Sequence, residues 1–142
     1  MDPANDARAR GLERHLDAEN ANDVDGIVRT FAEDGVVILN GITFRGHDAI
    51  RKVHAGFGFG GAGAFSDLRI REMHRHVGPD AIVLEEHLSG RHTGTWEGVA
   101  PTGRRFEIAL CAVYELNAAG ELTSERVYFD GSAILKQLRG TA

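Results

Sequence analysis

Arg104-Arg-Phe-Glu-Ile-Ala-Leu-Cys-Ala-Val-Tyr-Glu-Leu-Asn-Ala-Ala-Gly-Glu-Leu-Thr-Ser-Glu-Arg-Val-Tyr-Phe-Asp130 reads as two long β segments. They run over Arg104–Leu116 and Glu121–Asp130, and Asn117-Ala-Ala-Gly120 is the turn between them. A short turn between consecutive long strands makes them antiparallel neighbours.

The same pattern extends backwards. Phe65–Val77 and Ala81–Trp96 are two further strands, separated by Gly78-Pro79-Asp80, and Ala100-Pro101-Thr102-Gly103 leads into the quoted pair. Earlier still, Val36-Val37-Ile38-Leu39 is a β-branched run, and Asn40-Gly41 is a strong hairpin signal into a short strand, Ile42–Arg45. The remainder is helical. Ala9, Leu12, Leu16 and Ala21 suggest a first amphipathic helix ending near Asn20. Asp23 is the N-cap of a second, short helix through Val24, Ile27, Val28 and Phe31, ended by Asp34-Gly35. Ile50, Val53, His54 and Phe57 form the buried stripe of a third, and Ile134, Leu135 and Leu138 form a C-terminal helical cap. Helices first and a meander afterwards exclude a doubly wound α/β fold. The expected class is α+β, a curved antiparallel sheet with three N-terminal helices enclosing a pocket, in a single domain over 1–142.

The bulk properties narrow the function. The chain has 142 residues, 42% hydrophobic and 26% charged, the make-up of an ordinary globular domain. No apolar run approaches the roughly 20 residues that span a bilayer, and Met1 to Arg10 lacks the apolar core of a signal peptide. Cys111 is the sole cysteine, so no intrachain disulfide forms and a cytoplasmic setting is expected. The net charge of −5 repels a phosphate backbone, and Arg69, Arg71 and Arg75, or Arg104 with Arg105, read as solvated faces. Neither a nucleic-acid nor a membrane partner is expected.

Several stretches carry a resemblance to the SnoaL-like, polyketide cyclase-like group of the nuclear transport factor 2-like superfamily. Asn20-Ala-Asn-Asp-Val-Asp-Gly-Ile-Val-Arg-Thr-Phe-Ala-Glu-Asp34 resembles the superfamily's second helix, and Arg45-Gly-His-Asp-Ala-Ile50 its third-helix start. Gly90-Arg-His-Thr-Gly94 with Gly98-Val-Ala-Pro-Thr-Gly-Arg104 is similar to the group's strand and turn. Tyr128-Phe-Asp-Gly-Ser-Ala-Ile-Leu-Lys-Gln-Leu138 is similar to its closing strand and tail. The resemblance implies a cone-shaped fold with a pocket for a small apolar molecule, and a homodimer packed through the outer sheet face. It does not hand over a reaction. The cyclases' aspartate on the last strand is matched by Val127. The ketosteroid isomerases' tyrosine and two aspartates fall on His15, Leu39 and Ala112.

The matched positions set an expected pocket phase: Val83, Glu85, His87 and Ser89 on one strand, Leu110, Ala112 and Tyr114 on the next, Glu125, Val127 and Phe129 on the last. A slip of one residue would turn every side chain of a strand to the other face. In this phase Glu85 and His87 are an acid–base pair in an apolar cavity, since burial brings both pKa values toward neutrality. A solvated strand face is the other reading of the same residues. His15 and His54, placed by the resemblance where isomerases hold hydrogen-bonded tyrosines, are expected to reach the cavity with Glu125. Tyr114 is a candidate hydrogen-bond donor to a ligand carbonyl. Leu39, Ala112, Val127, Phe129, Phe57 and Phe59 complete the expected lining, and Asp130 orders the strand end.

Three signals are set aside. Gly58-Phe-Gly-Gly-Ala-Gly63 matches the dinucleotide fingerprint literally but follows a helix and precedes a strand, the reverse of what that motif requires, and reads as a loop over the cavity mouth. His74-Arg-His76 lacks a third ligand nearby, and Cys111 points away from the cavity. The leading expectation is an enzyme of SnoaL-like type performing cyclisation, isomerisation or hydration on an apolar or polycyclic carbonyl compound, with no organic cofactor and no assigned metal. A non-catalytic ligand-binding module is the alternative. A metal-assisted enzyme built on Glu85, His87 and a helix histidine is the third.

Overall fold

A computed structural model describes residues 2–140. Helix α1 (Pro3–Asn20) starts where the Asp2 carboxylate accepts from the Ala4 N–H, and α2 (Val24–Arg29) where Asp23 accepts from Gly26. Strands β1 (Phe31–Leu39) and β2 (Ile42–Arg45) flank Asn40-Gly41, and α3 (His47–Phe57) follows. The meander is β3 (Phe65–Val77), β4 (Ile82–His92), β5 (Arg105–Leu116) and β6 (Leu122–Phe129), closed by α4 (Gly131–Arg139). Asn40 and Gly41 both have positive φ, 46° and 88°, as a type I′ turn demands. Asp130 caps α4 by accepting from the Ser132 N–H and hydroxyl.

The six strands form one sheet in the order β2-β1-β6-β5-β4-β3. This curved sheet is mixed, not antiparallel throughout: β1 pairs with β6 in parallel, Val37 opposite Glu125 and Leu39 opposite Val127. Parallel neighbours need a long connection between them, and here α3 and the other four strands supply it. Two boundaries also differ from the expected ones. Helix α2 stops at Arg29, not at Asp34-Gly35, and β1 begins at Phe31 across an irregularity before Val36. Strand β4 ends at His92, and Trp96 instead bridges to Val99.

The apolar cluster lies between the inner sheet face and the helices, with Leu12, Ile27, Ile50, Leu84, Leu122 and Ile134 fully buried. Each such side chain stabilises the fold by roughly 1.5–3 kcal/mol. Helix α1 docks on the β5–β6 turn so closely that a Cβ on Gly11 would lie 1.9 Å from the Gly120 carbonyl oxygen. Its buried face is Gly11, Leu12, His15, Ala18 and Glu19, whereas Ala9 and Ala21 are exposed. Two of those five residues, His15 and Glu19, are polar.

Candidate functional site

Strand register builds the inner face row by row. Ile82 stands opposite Tyr114, which stands opposite Glu125; Leu84, Ala112 and Val127 form the next row; Glu86, Leu110 and Phe129 the third. Above these rows is a cavity of about 80 Å³. Its apolar walls come from β1 (Val37, Leu39), α3 and the loop after it (Val53, Phe57, Phe59), Ile70, Leu88, and Leu110, Ala112, Val127 and Phe129 of the rows, while Glu19, His54, Glu86, Tyr114 and Glu125 are its polar groups. Helix α1 contributes Glu19, α3 contributes His54, and β4, β5 and β6 contribute one each of the other three.

The register overturns one expectation. Glu85 and His87 lie on the outer face of β4, with side chains 53% and 35% exposed, Glu85 bonded to His76 at 2.7 Å and His87 to Glu107 at 2.9 Å. Val83 and Ser89 share that outer phase and are only half-buried. The phase that the resemblance implies is one residue off. Ile82, Leu84 and Leu88 make the other face the more apolar, and it is the one that buries. Neither Glu85 nor His87 can act in the cavity, and the metal set built on them falls as well. The residue that sequence reasoning missed is their neighbour Glu86, 2% exposed and within the lining.

The other expected residues do converge. Leu39, Phe57, Phe59, Ala112, Tyr114, Glu125, Val127 and Phe129 all line the cavity, as does His54. His15 sits directly behind it, fully buried, its Nε2 3.4 Å from Glu19 Oε1 and 3.4 Å from Glu125 Oε1. His54 Nε2 is 3.9 Å from the same Glu125 oxygen. Cys111 is absent from the lining, and His74 and His76 are exposed.

Hydrogen bonds place a proton on Nδ1 of both imidazoles. The Thr30 hydroxyl donates to the Ile27 carbonyl at 2.6 Å, so its oxygen accepts from His15 Nδ1 at 2.9 Å. His54 Nδ1 donates to the Ile50 carbonyl at 2.8 Å. Each ring therefore carries a proton on Nδ1 and turns Nε2 toward Glu125. Nε2 of His15, Oε1 of Glu19, Oε2 of Glu86 and Oε1 of Glu125 have no hydrogen-bond partner despite complete burial.

Three carboxyls this close cannot all ionise. Burial, then the charges of Glu125 and Glu86, raise Glu19 well above the usual carboxylate range. Burial, with Glu125 and Glu72, pushes Glu86 up to about 8. Burial pushes Glu125 up too, but the nearby charge of His15, its contact with that ring and the charge of His54 outweigh this and hold it below the usual range. Burial lowers His54 and raises Tyr114. The shifts favour the charged form at Glu125 and the protonated form at Glu19 and Glu86, an arrangement that can give and take a proton within the cavity. Among the described residues, His15, Glu19 and Glu125 also offer ligand atoms that lie within 4.8 Å of one another.

A curved mixed sheet covered on its inner face by helices defines the class of fold. Within that class, the SnoaL-like domain model matches residues 12–125, and the chain belongs to that family. Solved structures agree in fold. A protein from Jannaschia sp. CCS1, provisionally named a SnoaL-like polyketide cyclase, superposes with a TM-score of 0.82 at 19% identity, covering 96% of this chain and 94% of its own. A Catenulispora acidiphila protein of ketosteroid isomerase-like fold, in complex with trimethylamine, gives 0.76 at 17% identity over 93% of each chain. An M. tuberculosis LEH-like epoxide hydrolase gives 0.71 at 19%, covering 94% and 90%. No curated protein matches the chain.

Proposed function

We propose that this SnoaL-like domain binds a compact, largely apolar carbonyl or epoxide-like compound in the cavity and moves protons on it, with Glu86 as the proton-carrying group. The observation that carries this reading is the placement of a buried carboxyl with a free oxygen inside an apolar-walled cavity. A pKa near 8 suits the role, because a group poised close to neutrality can act as acid or base at working pH. Glu86 then delivers a proton to an oxygen gaining negative charge, or withdraws one from an adjacent carbon. Tyr114, undissociated, frames the same space as a hydrogen-bond donor. Cyclisation, isomerisation and hydration all reduce to such steps, and the polyketide cyclase and epoxide hydrolase names among the similar folds support that range.

Size refines the substrate. A volume of about 80 Å³ is well short of the roughly 300–1,000 Å³ that encloses a drug-sized ligand, which favours a small compound over a polycyclic one. The reading includes a homodimer through the outer sheet face, where Tyr128 and Met73 are exposed apolar side chains, and a cytoplasmic location. No helix among the described residues is long and apolar enough to cross a membrane.

Deuterium exchange tests the chemistry without the natural substrate. Small cyclic ketones in D₂O should lose α-hydrogens faster with wild type than with Glu86→Gln, and the wild-type rate should inflect near pH 8. Equal exchange in the two proteins would sink the catalytic assignment. The alternative, a non-catalytic binder, is favoured by Leu39, Ala112 and Val127, which put apolar side chains on the cavity wall. It expects binding of the same ketones with no exchange.

A further inference from the structure

We propose that His15, Glu19 and Glu125 form a binding site for a divalent transition-metal ion of the zinc class, with its open coordination position facing the cavity. The proposal goes beyond the role given to Glu86 and does not depend on it. Spacing is the first argument. His15 Nε2 lies 3.4 Å from each of two carboxylate oxygens, too long for a hydrogen bond, whose usual limit is about 3.2 Å. Ligands held at roughly 2.0–2.1 Å from a tetrahedral ion are separated by about 1.63 times that length, close to 3.4 Å. The three atoms have no hydrogen-bond partner, are buried, and lie within 4.8 Å of one another.

Ring orientation is the second argument. A metal-bound imidazole characteristically donates its other N–H to a fixed acceptor, which locks the tautomer and leaves a lone pair for the ion. Thr30 does this for His15, and its own hydroxyl proton is committed to the Ile27 carbonyl. His15 and Glu19, four residues apart on α1, share one helix face, while Glu125 reaches in from β6. Charge is the third. Two carboxylates and a neutral imidazole cancel a doubly charged ion, which removes the repulsion between Glu19 and Glu125. One nitrogen and two oxygens suit zinc, iron, cobalt or manganese and fall short of the 6–8 oxygens calcium takes. Three protein ligands with a fourth position open is the arrangement of catalytic sites, and Glu19 and Glu125 both line the cavity. His54 Nε2, 3.9 Å from Glu125, borders that position.

The test is titration of Co²⁺ into the chelator-stripped full chain, followed by the ion's visible absorption, with Zn²⁺ added in competition. Wild type should saturate at a single equivalent with a tetrahedral spectrum that Zn²⁺ abolishes. Glu19→Gln and Glu125→Gln should lose saturable binding, Thr30→Val should weaken it about 10–100-fold as a support to the ligand ring, and Glu86→Gln should leave it unchanged. A folded wild type that shows no saturable Co²⁺ spectrum overturns the proposal, as does Glu19→Gln binding at wild-type affinity. If circular dichroism finds the glutamine variants unfolded, wild type and Thr30→Val decide the matter. The readout is the ion's own absorption. Failure here therefore leaves the Glu86 reading standing, and a Glu86→Gln protein that takes Co²⁺ but exchanges no deuterium supports both.

Discussion

At the scale of single residues, Glu86 links the cavity to pH. Burial is the largest cause of its shift; Glu125 on β6 and Glu72 on β3 add to it, and Arg75 on β3 opposes it. The pKa rises from 4.5 to about 8 on folding, so between those values the folded chain holds a proton that the unfolded chain has released. Stability from this group is fully present below pH 4.5 and declines by about 1.4 kcal/mol per pH unit until the pH passes 8. Glu86→Gln removes the titration. The variant should therefore gain on wild type steadily from pH 5 to pH 8 in denaturant melts; a constant difference across that window would refute the assignment. Glu85 and His87 predict the opposite. Replacing either with alanine should leave the thermal midpoint and any turnover at wild-type values, because each meets only an exposed partner, His76 or Glu107. Loss of activity in His87→Ala would restore the inward reading. The phase is legible in the residues themselves: Ile82, Leu84 and Leu88 mark the buried side of β4 and Glu86 lies between them, whereas the resemblance turns Glu85 inward. The convergence of His15, Glu19 and Glu125 was not legible in full, since α1 and β6 are joined only by tertiary packing.

At the scale of elements, local chemistry was readable where it is self-contained. The Asn40-Gly41 turn, the Asp23 cap and the α3 stripe each depend on a few adjacent residues, and each is found where expected. The parallel β1–β6 pair was not readable, because nothing in either strand names a partner more than eighty residues away. The structure shows what secures that pair. The Asn40 side chain donates to the Phe129 carbonyl and accepts from the Phe129 N–H, both at 2.9 Å, and its own N–H donates to Val127. An amide thus continues the ladder past the end of β1 and fixes Phe129 at the cavity wall. Asn40→Ala breaks two of these bonds and also loses a residue tolerant of positive φ. It should cost about 1–3 kcal/mol in a urea melt and should loosen binding of any cavity ligand. A melt indistinguishable from wild type would show that the clip contributes nothing.

At the scale of the whole molecule, fold and void are separable. Leu12, Ile27, Ile50, Leu122 and Ile134 of the apolar cluster lie outside the cavity lining, and a void costs stability because its walls forfeit packing contacts. Ala112 is the position to exploit. It lies at the centre of the inner face between Leu84 and Val127, is 1% exposed, and points its single methyl into the cavity. Ala112→Leu pushes a branched chain into about 80 Å³ of free space that Glu86 and Glu125 also line. Filling a void of this kind typically stabilises by about 0.5–2 kcal/mol, against a strain penalty of about 1–3 kcal/mol if the new side chain cannot reach a staggered rotamer. The expected outcome is a thermal midpoint at or above that of wild type together with loss of ketone binding and of deuterium exchange. Ketone binding that survives the substitution in a protein of unchanged stability would place the ligand elsewhere on the molecule, with the shallow outer groove between Met73 and Phe129 as the next surface to probe.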